Sequence, residues 1–161
     1  MGVKVESIRD TVAIKTRTYF SRKISIPGIT AAAAHTAADA LGVKFIINTP
    51  RSGILYSANL WDLDDEGLQI DLALFSADFT AVADDAAWSL SDEDLRKLFY
   101  VVKFQTFDDA VNGQMSSVEA INKAVVLPEG QCWAQAIARG ASTIAAGSDP
   151  VIQLQFLADD I

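Results

Sequence analysis

The sequence predicts an all-β fold, an antiparallel two-sheet sandwich with one short helix and an extended N-terminal arm. Apolar and polar residues alternate over several short segments, as half-buried strands require. Clusters of Gly, Pro and Asp separate these segments, which is typical of turns between strands. Helices do not alternate with the strand segments, so a parallel sheet is disfavoured. A two-sheet sandwich is the arrangement that fits, and a jelly roll is one form of it.

The strongest strand signals lie in residues 54–61 and 68–75. In each segment, large apolar side chains recur at every second position, so they share one face of a strand. Between the segments, residues 62–67 are charged and end in a glycine, as turns often do. The two segments are therefore predicted to pair as the central hairpin of the domain.

The N-terminal segment differs from the rest of the chain. Residues 11–14 and 22–26 favour β-structure, but Lys and Arg interrupt the alternation, and Pro27-Gly28 breaks it. Residues 1–30 are therefore predicted to be an extended arm or an edge strand, and residues 31–161 a β-sandwich body.

The body contains further element signals. The alanine-rich residues 30–41 favour either a short helix or an ordered loop. Ser91 followed by Asp94 predicts the start of a helix over residues 92–98. Residues 131–139 carry small side chains on one side, which predicts a close neighbour above that strand, and the Asn112-Gly113 dipeptide predicts a turn with positive φ. The other predicted strands cover residues 43–48, 99–107, 124–127 and 151–158.

Composition and charge restrict the classes of function. A chain of 161 residues favours one domain, and its formal net charge is −8. Residues 1–51 hold eight basic and three acidic side chains, a net +5, whereas the remaining residues carry −13. The acidic body disfavours nonspecific nucleic-acid binding. The basic first third suits either an acidic partner or the acidic body of its own or a neighbouring subunit. No apolar run is long enough to span a membrane, and the first residues lack a signal-peptide core, so folding in a cytoplasm is expected.

The sequence predicts no catalytic, cofactor-binding or metal-binding residues. His35 and Cys132 are the only residues of their types, and Cys132 is expected to be a buried thiol. The acidic residues 62–66 match a calcium loop only loosely, because Ala73 stands where a bidentate glutamate is needed. Trp61 is the best candidate for stacking on a sugar, although a core or interface position is favoured for it.

Several phrases of the chain resemble small virion proteins of tailed phages. These phrases are PRSGIL-SANLWDLDDEGLQIDLALFSADFT from residue 50 and DDAAWSLSDEDL from residue 84, and the similarity spans roughly residues 38–158. The resemblance implies a non-enzymatic capsid decoration, or cement, protein that binds the outer surface of the capsid and stabilises the shell. It also implies the major capsid protein as partner, a homo-oligomer such as a trimer, and a location on the virion surface after synthesis in the host cytoplasm.

Residues for partner binding are predicted from charge alone. Basic side chains on an extended N-terminus suit an acidic partner surface, and an unpaired strand edge suits strand addition. The predicted contact residues are Arg9, Lys15, Arg17, Arg22 and Lys23. The alternative function is a receptor- or carbohydrate-binding module of a tail fibre or baseplate, which requires exposed tryptophans beside polar groups.

Overall fold

The computed structural model describes residues 16–31, 33–67, 69–144 and 150–159. These residues form thirteen strands and one single-turn helix, α1 (Asp92–Leu95). The strands are β1 (Thr16–Phe20), β2 (Ile24–Ser25), β3 (Ala34–His35), β4 (Ala40–Asn48), β5 (Ser52–Asp62), β6 (Ile70–Phe75), β7 (Leu98–Phe104), β8 (Asp108–Asp109), β9 (Gln114–Val118), β10 (Lys123–Val126), β11 (Gln131–Ala138), β12 (Ser142–Thr143) and β13 (Val151–Asp159).

The predicted all-β, two-sheet antiparallel fold is confirmed. A seven-stranded sheet has the order β1-β13-β5-β9-β8, with β10 also pairing with β5 and β2 with β13. A four-stranded sheet has the order β4-β11-β6-β7, and β12 and β3 form a small separate pair. One buried cluster contains apolar side chains from both large sheets, so the core lies between them. Its largest members include Phe104, Phe156, Leu55, Leu72 and Leu74.

The predicted central hairpin is wrong, although both of its strands exist. Strand β5 pairs with β13, β9 and β10, whereas β6 pairs with β7 and β11 in the other sheet. The acidic residues 62–67 therefore lead the chain from one sheet to the other. The physical reason is that β13 occupies one edge of β5 and β9 and β10 occupy the other, which leaves β6 no edge to join.

Strand β5 changes the phase of its alternation at a β-bulge. Gln155 of β13 lies opposite Ser57, but the next residue, Phe156, lies opposite Leu55, so Tyr56 is the extra residue. Leu55 is buried before the bulge, and Ala58 and Leu60 are buried after it. An extra residue reverses which side chains face the core. A single period-2 pattern over residues 54–61 therefore assigns half of this strand to the wrong face.

Strand β6 is buried on both faces, because the loop of residues 76–90 covers the outer face of the four-stranded sheet. Ile70, Leu72 and Leu74 belong to the core between the sheets, whereas Ala73 and Phe75 belong to a second cluster with Phe79 from the loop. The Phe75 and Phe79 rings stack with centroids 3.8 Å apart. Aromatic stacking of this kind adds to the hydrophobic stabilisation of the loop.

A buried amide fastens the same loop to β11. Gln135 is fully buried. Its Oε1 atom accepts a hydrogen bond from the Val82 N–H at 3.1 Å. Its Nε2 atom donates to the Val82 carbonyl at 2.6 Å and to the Gly42 carbonyl at 2.9 Å. The small side chains of β11 do not face this loop, because Cys132, Ala134 and Ala136 belong to the core cluster between the two sheets. The close neighbour predicted from the small residues of 131–139 is therefore the opposing sheet and not the loop.

Two local predictions need correction, and one alternative is decided. The Ser91 hydroxyl caps α1 by accepting from the Asp94 N–H at 3.1 Å, as predicted, but the helix ends at Leu95 because β7 begins three residues later. Of the two alternatives for residues 30–41, the described part fits the ordered loop, since it contains turns, β3 and the start of β4 and no helix. In the turn before β9, the positive φ of 75° belongs to Val111 and not to Asn112-Gly113.

Candidate functional site

Two of the predicted basic contact residues, Arg17 and Arg22, lie at one edge of the seven-stranded sheet. Arg9 and Lys15 lie outside the described residues. Arg17 is exposed on β1, an edge strand of that sheet, where it is paired with Ala158 of β13 and makes a further interaction of its own. Arg22 is exposed immediately after β1. Arg17 and Arg22 therefore lie on or next to edge strand β1, within the segment that the sequence predicted to be an arm or an edge strand.

Lys23 directly follows Arg22 and precedes β2, and its side chain extends to Trp61 of β5. Its Nζ atom lies 4.1 Å from the centroid of the Trp61 ring. A lysine ammonium in this position is attracted to the negative face of the indole. Trp61 therefore has a cation against one face of its ring.

A cavity of about 400 Å³ lies beside Trp61, and we call it the Trp61 pocket. Leu63, Ala110 and Met115 give it apolar walls. Its other lining residues are polar, acidic or glycine: Asp62, Asp108, Asp109, Gly113 and Gln114. Hairpin strands β8 and β9 position the acidic pair, because Asp108 lies opposite Met115, which itself lies opposite Trp61 on β5.

Asp62 has a structural role at the base of this pocket. Its side chain is buried, and its Oδ2 atom accepts a hydrogen bond from the Gly67 N–H at 2.8 Å. This contact closes the acidic turn, and Gly67 adopts a φ of +64° there. Among the described residues, no group of three or more His, Cys, Asp or Glu side chains is arranged to hold a metal ion.

A second cavity, of about 240 Å³, lies on the outer face of the four-stranded sheet beside Trp133, and we call it the Trp133 pocket. Its lining combines the indole with carboxylate, amide and hydroxyl groups from Asp78, Glu129, Gln131 and Ser76. An aromatic ring beside convergent polar groups is the composition that a sugar site requires. Sequence reasoning missed this grouping because its members come from the start of the 76–90 loop and from residues 129–133, more than fifty residues apart.

Lys44 adds a cation next to the Trp133 pocket. Its Nζ atom lies 5.0 Å from the Trp133 ring centroid, donates to the Phe79 carbonyl at 2.7 Å and pairs with the Asp78 carboxylate. The hydrogen bond from Lys44 holds the pKa of Asp78 below its usual value. Asp78 is therefore a charged acceptor at the pocket.

The only histidine and the only cysteine of the chain are both buried. The His35 Nε2 atom lies 3.1 Å from Oδ1 of Asp84, and its side chain is 0% exposed. Cys132 lies in the core, and burial raises the pKa of its thiol to about 12. The expected buried cysteine is confirmed, and a thiol with this pKa is a poor nucleophile at neutral pH because the reactive species is the thiolate.

No protein-family model matches the chain, and a search of curated proteins returns no match to it. The phage resemblance therefore depends on the sequence phrases alone. Within the part of the chain that the structure describes, no helix has the length and apolar character needed to cross a membrane.

Proposed function

We propose that this chain is a non-enzymatic capsid decoration protein of a tailed phage. In this role it binds the major capsid protein on the outer surface of the virion and stabilises the shell, as a homo-oligomer such as a trimer. Two sequence observations support the proposal, namely the resemblance over residues 38–158 and the division of charge between a basic first third and an acidic body.

The observation that carries the proposal is the exposed edge strand β1. Among the described residues, β1 forms this edge of the larger sheet together with the short β2, and Phe20 at the end of β1 is 53% exposed. The backbone groups along an open strand edge are a template for strand addition. Arg17 and Arg22 add positive charge at this edge, so an acidic capsid surface with an extended segment is the complementary partner.

The placement of the two most reactive side-chain types supports a role without catalysis. His35 is enclosed and engaged with Asp84, so its Nε2 atom is not presented to a substrate. Cys132 is in the core with a raised pKa. A binding role uses the exposed edge and needs neither group.

Co-sedimentation with expanded capsid shells that lack this protein tests the proposal. We expect saturable attachment of the wild-type chain at a fixed ratio to the capsid protein. Replacing Arg17 and Arg22 together by glutamate is expected to weaken attachment about tenfold, since both attraction and steering by charge are lost. Salt screens the attraction between exposed charges, so raising the ionic strength to about 0.5 M is expected to weaken the attachment of the wild-type chain more than the attachment of the variant.

Arg96→Glu is the matched control, because Arg96 is exposed on the end of α1, away from β1. It reverses one charge where the test variant reverses two, and it is expected to leave attachment unchanged. Thermal unfolding of each variant shows whether the fold is intact. A folded wild-type chain that does not sediment with the shells contradicts the proposal, and equal weakening by both reversals contradicts the assignment to β1.

The Trp133 pocket favours the second candidate function, a carbohydrate-binding module of a phage tail fibre or baseplate. If the chain has this second function, we expect its tryptophan fluorescence to change when a glycan binds. We expect the Trp133→Ala variant to lose both this change and binding to a glycan array. Stacking of a sugar on an aromatic ring and hydrogen bonds to fixed polar groups supply the affinity. Trp61→Ala is the control, and its binding is expected to match wild type. Loss of binding in the Trp61 variant alone contradicts the assignment to Trp133.

A further inference from the structure

We propose that Asn112 is a site of spontaneous covalent modification in the folded protein. Its side-chain amide is converted, through a succinimide formed with the backbone of Gly113, to a mixture of aspartate and isoaspartate. Both residues lie in the turn between β8 and β9, beside the Trp61 pocket. The reaction needs only water as co-reactant, and the inference depends neither on capsid attachment nor on sugar binding.

The Asn-Gly pair is not explained by the shape of its turn. In tight hairpin turns this pair usually supplies residues with positive φ. Here Val111 adopts the positive φ, of 75°, and Asn112 does not. The Asn112 side chain is exposed, and within the described ranges its amide makes no hydrogen bond. The amide is therefore open to reaction and has no structural partner to lose.

The backbone nitrogen that would attack this amide is not held by the turn. A closed β-turn has a hydrogen bond from the N–H of its fourth residue to the carbonyl of its first. In this turn the bond runs the other way, from the Ala110 N–H to the Gly113 carbonyl at 2.8 Å, and residues 111 and 112 form an open bend. The Gly113 nitrogen therefore has no turn hydrogen bond to break before it attacks.

The packing of the hairpin requires a glycine directly after Asn112. A Cβ atom at Gly113 would lie 3.0 Å from the Asp62 carbonyl oxygen and 3.4 Å from the Leu63 carbonyl oxygen. The missing side chain lets the hairpin approach the backbone of the acidic turn. It also leaves nothing on Gly113 to shield its nitrogen, and it lets the backbone there rotate more freely than at other residues.

The turn is also strained and weakly held. A β-branched residue with positive φ is a true outlier, and such a conformation costs about 1–3 kcal/mol. Val111 is 82% exposed, and its N–H donates to the Oδ1 atom of Asp109 at 2.7 Å. Exposed segments with few buried contacts open at low free-energy cost. Opening of this kind allows Asn112 to bring its Cγ atom against the Gly113 nitrogen.

The atoms of the reaction balance without any oxidation or reduction. The Gly113 nitrogen forms a bond to the Asn112 Cγ, and the bond between Cγ and Nδ2 breaks. Nδ2 leaves as ammonia and takes the proton that the Gly113 nitrogen loses. Water then opens the five-membered succinimide at one of its two carbonyl carbons. Attack at Cγ gives aspartate, whereas attack at the main-chain carbon gives isoaspartate, whose backbone runs through Cβ and Cγ.

The modification changes the charge beside the Trp61 pocket. The new carboxylate lies between Ala110 and Gly113, which line the pocket together with the exposed Asp108 and Asp109. The formal net charge of the chain changes by −1, from −8 to −9. In the isoaspartate form the turn also gains one backbone atom. This surface therefore becomes more acidic with time, without any enzyme.

Incubation of the folded full-length chain at mildly alkaline pH, followed by tryptic digestion and mass spectrometry, tests the proposal. We expect the mass gain of an amide-to-acid exchange at Asn112, in both the aspartate and the isoaspartate form. The internal control is Asn122, which lies in the same tryptic peptide, residues 104–123, and is also exposed, but which precedes Lys123. Conversion at Asn112 is expected to be at least about tenfold faster, a difference of about 1.4 kcal/mol in barrier. A sample digested without incubation gives the background.

A variant and an unfolded sample complete the test. Asn112→Gln keeps the amide but cannot form a five-membered ring, so residue 112 is expected to stay unmodified. The wild-type chain unfolded in urea gives the rate without the fold, and the folded chain is expected to convert within about tenfold of it. A folded chain that stays unmodified while the unfolded chain converts overturns the proposal. Equal conversion at Asn112 and Asn122 overturns it too, and so does a product that contains aspartate and no isoaspartate.

Discussion

Replacing Gly53 by alanine is expected to destabilise the fold by at least about 3 kcal/mol, the range of a severe backbone clash. A Cβ atom at this position lies 2.3 Å from the Leu157 carbonyl oxygen and 3.0 Å from the Ala158 Cα. Both atoms belong to the backbone of β13, so no side-chain rotation relieves the contact. Gly53 also has a φ of +148°, which an L side chain rarely adopts.

The clash falls where the larger sheet has no freedom to move. Gly53 lies between Ala158 of β13 and Val125 of β10, so β5 is paired on both sides at this residue. Moving β5 away from β13 therefore strains its pairing with β10. The expected loss has two sources, the distorted ladder and the strained backbone dihedral.

Urea unfolding followed by tryptophan fluorescence measures this loss. Gly140→Ala is the matched control, since an added Cβ there meets nothing within 4 Å and its φ is not in the positive range. Its stability is expected to stay within about 0.5 kcal/mol of wild type. A Gly53→Ala protein as stable as the Gly140→Ala protein contradicts the close approach of β5 and β13.

The fold class was predictable because strand formation is largely local, whereas strand pairing is not. Strand β5 covers residues 54–61 and strand β6 covers residues 70–75, as the alternation there indicates, and the two faces of β6 pack into two separate clusters. Their assignment to one hairpin failed because the choice of partner depends on β13, which lies almost a hundred residues along the chain. The bulge at Tyr56 is likewise specified by its opposing strand and not by the local pattern.

The candidate sites were predictable only in part, for a related reason. Trp61 was identified from its strand position, but Asp108 and Met115 reach it through the register of β8, β9 and β5. The Trp133 pocket likewise requires the 76–90 loop to fold back over β11. Each residue has an unremarkable local context, and only tertiary packing brings an indole, carboxylates and apolar walls together. The basic N-terminal residues were found because charge composition is visible without any tertiary information.

The second large effect is expected at Asp84, whose carboxylate holds three segments together. It accepts hydrogen bonds from the Gly42 N–H at 2.6 Å and the Thr30 N–H at 2.8 Å, and it faces the buried His35 Nε2 at 3.1 Å. Asp84→Ala is expected to lower the free energy of unfolding by about 2–4 kcal/mol, because it leaves buried polar groups without their partner. Loss of the carboxylate removes the side-chain link from the 76–90 loop to Thr30 and Gly42, while backbone hydrogen bonds between Ala40 and both Asp85 and Ala86 remain.

Asp84 also gives the protein a predictable sensitivity to acid. Burial by itself raises the pKa of Asp84, but the hydrogen bonds from Gly42, Thr30 and His35 together outweigh it and hold the pKa below its usual value. A carboxyl with a lowered folded-state pKa stabilises the fold fully above its unfolded pKa of about 3.9. This stabilisation is lost as the pH falls through the folded-state value. Asp39, Asp78 and Asp94 have lowered pKa values too, so they add to the loss.

Urea unfolding between neutral pH and about pH 3 separates these contributions. Asp84→Asn is expected to be less stable than wild type at neutral pH and to lose less stability than wild type on acidification. Asp85→Asn is the control, because the adjacent Asp85 is exposed and its φ of 61° is one that asparagine tolerates. Wild-type and Asp84→Asn proteins with parallel stability curves down to the lowest pH contradict the assigned role, because the charged carboxylate then contributes nothing to the folded state.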